Sequence, residues 1–517
     1  MTNDLTNIYV LVTSISLPLC CRAQSKQSDT GSLSSSSSLV LHAQLLRTNS
    51  EAGLSYVVWK CTSLSASSTA QLKVANNHSQ WIPQDHVCIV QPALPNASKA
   101  LGRSPYDSSF EDDNPHVALW SSIRGSVGRF TTAKVFIHKG ERAFQAIAFA
   151  ALVRQNMVLK RCHWCFKKLR KKALQCGACE FARYCSRTCL DTDATLHDFQ
   201  CQALRELKHG QVPVKDVETV RLVLAVLSME QAVRNPQALR LLAVHQRTKD
   251  SEQEEMNIIV KFIVQWTKQG LDSQHVRATL ERVKCNAHPL YLDGITCVGT
   301  GIFPEAAMAL NHSCMPNVAP SFDPHTRTLA FHAILEIPQG TAVEYAYIDL
   351  LQSRKKRQSL LLNGFGFECN CGRCTNERAC SIEDDTDEEE SRAMEQLMQV
   401  FSSDCCDKKQ QLLYWKKNYE HVLKHSIEAQ FAFFTAEMQL ARTQCLWVNV
   451  INAAERLLKI WTRCGLPECY HTTETLHFQI YMAAMQAGML DLAQESAQKV
   501  KSIRLCCGYS HPETSID

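Results

Sequence analysis

Residues 162–201 read CHWCFKKLRKKALQCGACEFARYCSRTCLDTDATLHDFQC, and their spacing constrains everything around them. Cys162–Cys165 and Cys176–Cys179 are CxxC pairs, Cys185–Cys189 is a CxxxC pair, and His197–Cys201 is an HxxxC pair. Thiolate and imidazole ligands at such spacings chelate one ion, and eight of them suffice for two tetrahedral structural zinc sites. A closed site has no open coordination position, so this segment is expected to fold with metal and to perform no chemistry itself. Seven basic residues lie within Lys160–Lys172: Lys160, Arg161, Lys167, Lys168, Arg170, Lys171 and Lys172. They read as a solvated loop between ligands rather than as a nucleic-acid face.

The rest of the chain is consistent with a reduced, globular protein. Its 517 residues allow several domains. With 45% apolar and 21% charged residues, it is neither a fibre, a wholly disordered chain nor a multi-span membrane protein. The 55 basic and 51 acidic residues leave a net charge of +4, so no whole-chain field favours nucleic acid or a membrane surface. The 25 cysteines would suggest disulfides in a short secreted chain, but here their spacing suggests metal. An apolar run, Ile8–Leu19, has no preceding basic residue and is too short to span a bilayer. Ser25–Ser38 is low-complexity, and no sustained periodicity follows until about residue 115.

A second constellation lies in 285–376. It includes Asn311-His312-Ser313-Cys314 after the apolar run Ala306–Leu310, the stretch Glu344-Tyr345-Ala346-Tyr347-Ile348-Asp349, and Cys369-x-Cys371-x-x-Cys374. A polar cluster entering a core needs partners. Three closely spaced thiolates need a fourth ligand, for which Cys380 is the local candidate. No GxGxxG opens a βαβ unit, which argues against a Rossmann-type enzyme.

Residues 162–201, with their Tyr184-Cys185-Ser186 step, resemble a MYND zinc finger. The stretch 285–376 resembles the catalytic half of a SET domain with its post-SET tail. A SET domain split by a MYND finger is the arrangement of the SMYD protein-lysine methyltransferases. Residues Gly125–Glu141 are similar to the first half of that domain, although the family's GxG reads Ser126-Val127-Gly128 here. The resemblance implies an α+β fold, with a strand-rich SET domain split by the finger, a helical insertion and a tetratricopeptide-like helical C-terminal domain. The expected boundaries are a poorly defined N-terminal region 1–115, a first SET part 116–158, the finger 159–201, the helical insertion 202–284, the SET core 285–350, the post-SET tail 351–376, an acidic linker 377–391 and helices 392–517. Of the last, one hairpin is clear within His471–Ile503, and it is expected to wall the substrate groove. The family's last helices would lie beyond Asp517.

The resemblance also assigns ligands and roles. One zinc takes Cys162, Cys165, Cys185 and Cys189; a second takes Cys176, Cys179, His197 and Cys201; a third takes Cys314, Cys369, Cys371 and Cys374. S-adenosylmethionine would be held by Gly128, Asn286, Asn311, His312, Tyr347 and Phe367, with Tyr347 also the catalytic residue. Phe365 stands where many relatives have Tyr. Tyr345 is expected to face away from Tyr347 on that strand and to contribute little. The implied partners are a protein substrate bearing a lysine and proline-containing peptides at the finger, without nucleic acid or membrane, for a monomer in the cytoplasm or nucleus. The rival expectation is a catalytically weak SET/MYND scaffold that recruits proteins, which the altered glycine loop and Phe365 keep open.

Overall fold

The computed structural model describes residues 39–49, 54–63, 69–72, 86–88, 114–122, 129–210, 216–233, 239, 242–244, 250–267, 270–292, 296–380, 387–402 and 407–509. Ile8–Leu19, Ser25–Ser38 and Gly128 lie outside the described residues. The chain clusters into two compact units, Met1–Phe130 and Thr131–Asp517. In the first, Leu39–Asn49 pairs antiparallel with Leu54–Ser63, which pairs in turn with Thr69–Leu72. A short strand, His86–Cys88, pairs antiparallel with Val117–Ser122. This hairpin architecture was not anticipated by the sequence reading, because Leu45-Leu46 interrupts the alternation and the pairing register itself shifts between Gln44 and Arg47.

The second unit is mixed helix and strand. Thr328–Ala333 lies between Val318–Asp323 and Arg142–Ile147, all antiparallel, and alternates half-buried with buried side chains as period-2 pleating requires. Cys297–Ile302 lies between Ala287–Tyr291 and Ala150–Val153. Its Gly299 has no substitute, since a Cβ there would stand 2.2 Å from the Leu152 carbonyl oxygen and 2.8 Å from the Phe166 ring. A third pairing is parallel and two residues long: Asn311–His312 with Glu344–Tyr345. Thr131–Ala133 reaches the same region, with Ala133 N–H donating to Thr341 O (2.9 Å) and Val343 N–H donating to Thr131 O (2.8 Å).

Helices fill the intervals. Val217–Val233 and Asp250–Trp266 occupy the expected insertion, and a further helix, Ser273–Asn286, is capped by Asp272 accepting from Gln274 and His275 N–H. That helix carries Asn286 as its last residue, two positions beyond the expected end of the insertion. Residues 377–380, assigned to the acidic linker, complete the Gly372–Cys380 helix, and Asp387–Ser402 is also helical.

The C-terminal region is larger than a single hairpin. Ile427–Thr443, Trp447–Arg463, His471–Ala487 and Leu490–Cys507 pack in succession. Trp447–Arg463 buries Val450, Ile451, Ala453, Ala454, Leu457, Ile460 and Trp461, an apolar stripe of helical period that the sequence reading passed over. The last helix docks on the strands Val318–Asp323 and Thr328–Ala333, and one buried cluster joins Cys314, Leu350 and Leu361 to Trp461, Tyr470, Ile503 and Cys507. At its end, Gly508 has φ +71°, and a Cβ there would stand 2.1 Å from the His332 ring.

Candidate functional site

The finger is organised by its cysteines. Ser186 Oγ accepts from Cys189 N–H (3.2 Å) and starts the helix Arg187–Lys208, whose successive turns present Cys189, His197 and Cys201 on the inner side. Cys162, Cys165, Cys185 and Cys189 bring four sulfurs within 4.8 Å of one another, as do Cys176, Cys179, His197 and Cys201 with three sulfurs and one ring nitrogen. The spacing fits a metal. Four sulfurs about 2.3 Å from a zinc ion lie about 3.8 Å apart. Here Cys165–Cys185 is 3.4 Å, Cys185–Cys189 3.6 Å and Cys176–Cys201 3.8 Å, all far longer than a disulfide. His197 points Nε2 at Cys179 Sγ (3.6 Å), which makes Nε2 the ligand atom. The Tyr184 hydroxyl donates to Asp193 Oδ2 (2.8 Å) beneath the two clusters.

Arg161 is buried, and its Nη1 donates to Phe166 O (2.9 Å). It therefore leaves the run of basic residues on the surface. The finger is fastened to the neighbouring strands by Phe166, which packs edge-on to Phe322 (5.2 Å), and by Arg327. Arg327 donates to Trp164 O (2.9 Å) and Ala151 O (3.1 Å) while its guanidinium lies 4.4 Å over the Trp164 ring.

The second constellation also converges. Cys314, Cys369, Cys371 and Cys374 place their sulfurs within 4.8 Å of one another, with Cys314–Cys374 at 3.6 Å; Cys380 is not in this set. Beside it, Tyr347 donates its backbone N–H to His312 Nδ1 (3.0 Å), and its hydroxyl donates to Leu310 O (2.6 Å). A backbone N–H can only donate, so Nδ1 of His312 is unprotonated and Nε2 carries the hydrogen directed at Cys314 Sγ (3.2 Å). Tyr347 packs against His312 (5.3 Å), Phe365 (5.0 Å) and Phe367 (6.3 Å). Burial pushes His312 down to about 4 and the Tyr347 hydroxyl well above the usual phenol range. It also pushes the neighbouring Glu344 carboxyl up to about 7.

A MYND-finger family model matches residues 162–201. Histone-lysine N-methyltransferase Smyd1 of Mus musculus is 31% identical over 259 residues, covering 45% of this chain and 50% of that protein. N-lysine methyltransferase SMYD2-A of Danio rerio is 30% identical over 260 residues (48% and 58%), and SMYD2 of Gallus gallus is 31% identical over 248 (46% and 55%). Over these residues the chain is similar to SMYD proteins. It spans about half the length of the curated relatives it matches.

Set beside SMYD expectations, the residues of the site fall into three groups. Asn311, His312, Tyr347, Phe367 and the third cysteine set lie together around the parallel pairing of Asn311–His312 with Glu344–Tyr345. Asn286 is inward, but its Nδ2 donates to Ala243 O (2.8 Å) and Arg282 O (2.7 Å), so only its amide oxygen remains to meet a ligand. Gly128 is outside the described residues. Tyr345 does not face away: residues two apart in an extended segment share a face, and its ring lies against that of Tyr347 (4.8 Å).

Arg357 is a residue the sequence reading missed. It is 1% exposed, Nε donates to Cys314 Sγ (3.3 Å), Nη2 donates to Cys374 Sγ (3.7 Å), and its guanidinium pairs with Glu377. A zinc ion with four thiolates carries two net negative charges, which a buried guanidinium offsets. The signal was available in its spacing: Arg357 and Leu361, one turn apart, are the buried residues of the Arg354–Phe365 helix.

Proposed function

We propose that this protein is an S-adenosylmethionine-dependent protein-lysine N-methyltransferase carrying three structural zinc ions. The observation that carries the reading is the short parallel pairing that sets Tyr347 against His312 and Phe367 beside the third cysteine set. Residues 116–158 and 285–350 are read as the two parts of the split SET domain and 351–376 as its post-SET tail, with the last four helices as the tetratricopeptide-like wall of its substrate groove.

The donor set fits a sulfonium cofactor. Tyr347, Phe365, Phe367 and His312 present electron-rich rings suited to a cation and an adenine. The Asn286 oxygen suits an ammonium group, while His312, with both nitrogens engaged, offers its ring face. When bound, S-adenosylmethionine supplies an electrophilic methyl group.

The chain's own residues govern the nucleophile. A free lysine has a pKa near 10.4, and a narrow aromatic channel lined by Tyr347 and Phe365 favours its neutral, nucleophilic form by desolvation. The Tyr347 hydrogen is committed to the Leu310 carbonyl, so its oxygen faces the reacting groups as an acceptor. An acceptor there aligns the incoming amine and stabilises positive charge as it passes between nitrogen and sulfur. Phe365 in place of Tyr withholds one hydroxyl from the channel, which bears on how many methyl groups a lysine receives.

The substrate is a lysine-bearing protein, and the finger is a protein-interaction module suited to proline-containing peptides. Incubation with labelled S-adenosylmethionine and a lysine-peptide array tests the reading. Labelled lysine that disappears in Tyr347→Phe supports it. Cofactor binding without transfer on any peptide favours the scaffold.

A further inference from the structure

Two side chains with no assigned role connect the halves of this site. His288 Nδ1 is 2.9 Å from the Asn286 carbonyl oxygen, and His288 Nε2 is 2.8 Å from the Tyr345 hydroxyl. A carbonyl can only accept, so Nδ1 carries the hydrogen. Nε2 is then a lone pair and Tyr345 must donate to it. Both residues are buried, and the imidazole lies nearly parallel to the Tyr345 ring (5.9 Å, 18°) with Phe303 edge-on to it (5.7 Å). The Tyr345 carbonyl accepts Ser313 N–H (3.0 Å), and its ring supports Tyr347 at 4.8 Å. Tyr345 thus makes one backbone bond to the Asn311–Cys314 turn, one ring contact to Tyr347 and one hydroxyl bond toward Asn286.

We propose that His288 and Tyr345 are a positioning pair that fixes the end of the Ser273–Asn286 helix, and with it Asn286, relative to the Tyr347 ring. The inference rests on the methyltransferase reading. Neither residue touches the reacting groups, and the Tyr345 hydrogen is already spent on His288. Their effect is on alignment, to which the transfer of a methyl group between two fixed atoms is sensitive. The bond has a single polarity, donor Tyr345 to acceptor His288 to carbonyl Asn286, so it holds one arrangement.

The test separates alignment from stability. Tyr345→Phe strands the His288 lone pair, whereas Tyr345→Phe combined with His288→Phe removes both partners of that bond and leaves only the Asn286 carbonyl without its His288 donor. The single variant should lose melting temperature and turnover. The double variant should regain part of the melting temperature, yet its kcat should stay on the order of tenfold below the parent while the peptide KM changes less than about twofold. A kcat that recovers together with the melting temperature would overturn the proposal. Nitrogen NMR of the histidine-labelled chain gives a reading that needs no turnover. His288 should be in the Nδ1–H form, and the Tyr347 ring signals should shift in the double variant; an Nε2–H form or unmoved signals would overturn the pair. A parent chain that transfers no methyl group but passes both spectroscopic tests would instead sink the methyltransferase reading and leave the pair standing.

Discussion

The finger and the third cysteine set use the same ligand chemistry to opposite ends. In the finger, both clusters are drawn from one short stretch, Cys162–Cys201, and their closure makes a module. In the third set, Cys314 and Cys374 meet across 60 residues, and their closure fastens a tail beside Tyr347. The finger leaves Cys185 exposed, whereas the third set is backed by a buried arginine. Metal bound in the finger would build local structure; bound at the third set it would hold distant segments in register. A cross-link that closes a longer loop removes more freedom from the unfolded chain, so the second use also has the wider structural reach.

Breaking one ligand on each side sets the two roles apart. Three zinc ions per chain are expected by elemental analysis, falling to two in both Cys176→Ser and Cys314→Ser. Methyl transfer should fall by about 10²-fold or more in Cys314→Ser, because the tail no longer holds the site's geometry, and only a few-fold in Cys176→Ser. Equal losses would erase the distinction. Within the site, Tyr347→Phe should lower turnover by about 10²-fold with all zinc retained and cofactor affinity little changed. Arg357→Met should weaken zinc at the third set by roughly 10–100-fold in competition with a chelator and leave the finger's metal alone. The smallest effect concerns pH. Burial pushes His288 down to about 4 from an ordinary value near 6.5. Between those values the unfolded chain binds the extra proton, so stability falls as pH drops through that window, by about 1.4 kcal/mol per pH unit for this residue. Denaturant melts at pH 7 and 5.5 should show that share of the slope absent from His288→Phe.

The sequence made local chemistry legible and left long-range contacts obscure. The eight finger ligands stand out because chelation imposes short spacings. The joining of Cys314 to Cys369, Cys371 and Cys374 came from resemblance, since spacing by itself offered Cys380 as the local candidate. Tyr345 was misplaced because residues two apart, here Tyr345 and Tyr347, share a face of an extended segment rather than opposing each other. The bond between Tyr345 and His288 spans 57 positions and joins residue types common in any core. Arg357 hides in a basic run, Arg354-Lys355-Lys356-Arg357, whose other members are not buried. Beyond the alanine-rich hairpin, the helix Trp447–Arg463 is marked only by a stripe of mixed apolar residues, Val450 to Trp461, interleaved with charged ones.

The docking of Leu490–Cys507 and the close seat of Gly508 on His332 have a consequence for how the protein is made. A ribosome releases Cys314, Leu350 and Leu361 well before Trp461, Tyr470, Ile503 and Cys507, which cover the same cluster. During synthesis, the finger can close as soon as Cys201 emerges, while the apolar back of the central region waits for more than a hundred further residues. The nascent chain therefore passes through a stage in which the metal module is complete and the region around Tyr347 still lacks its last wall.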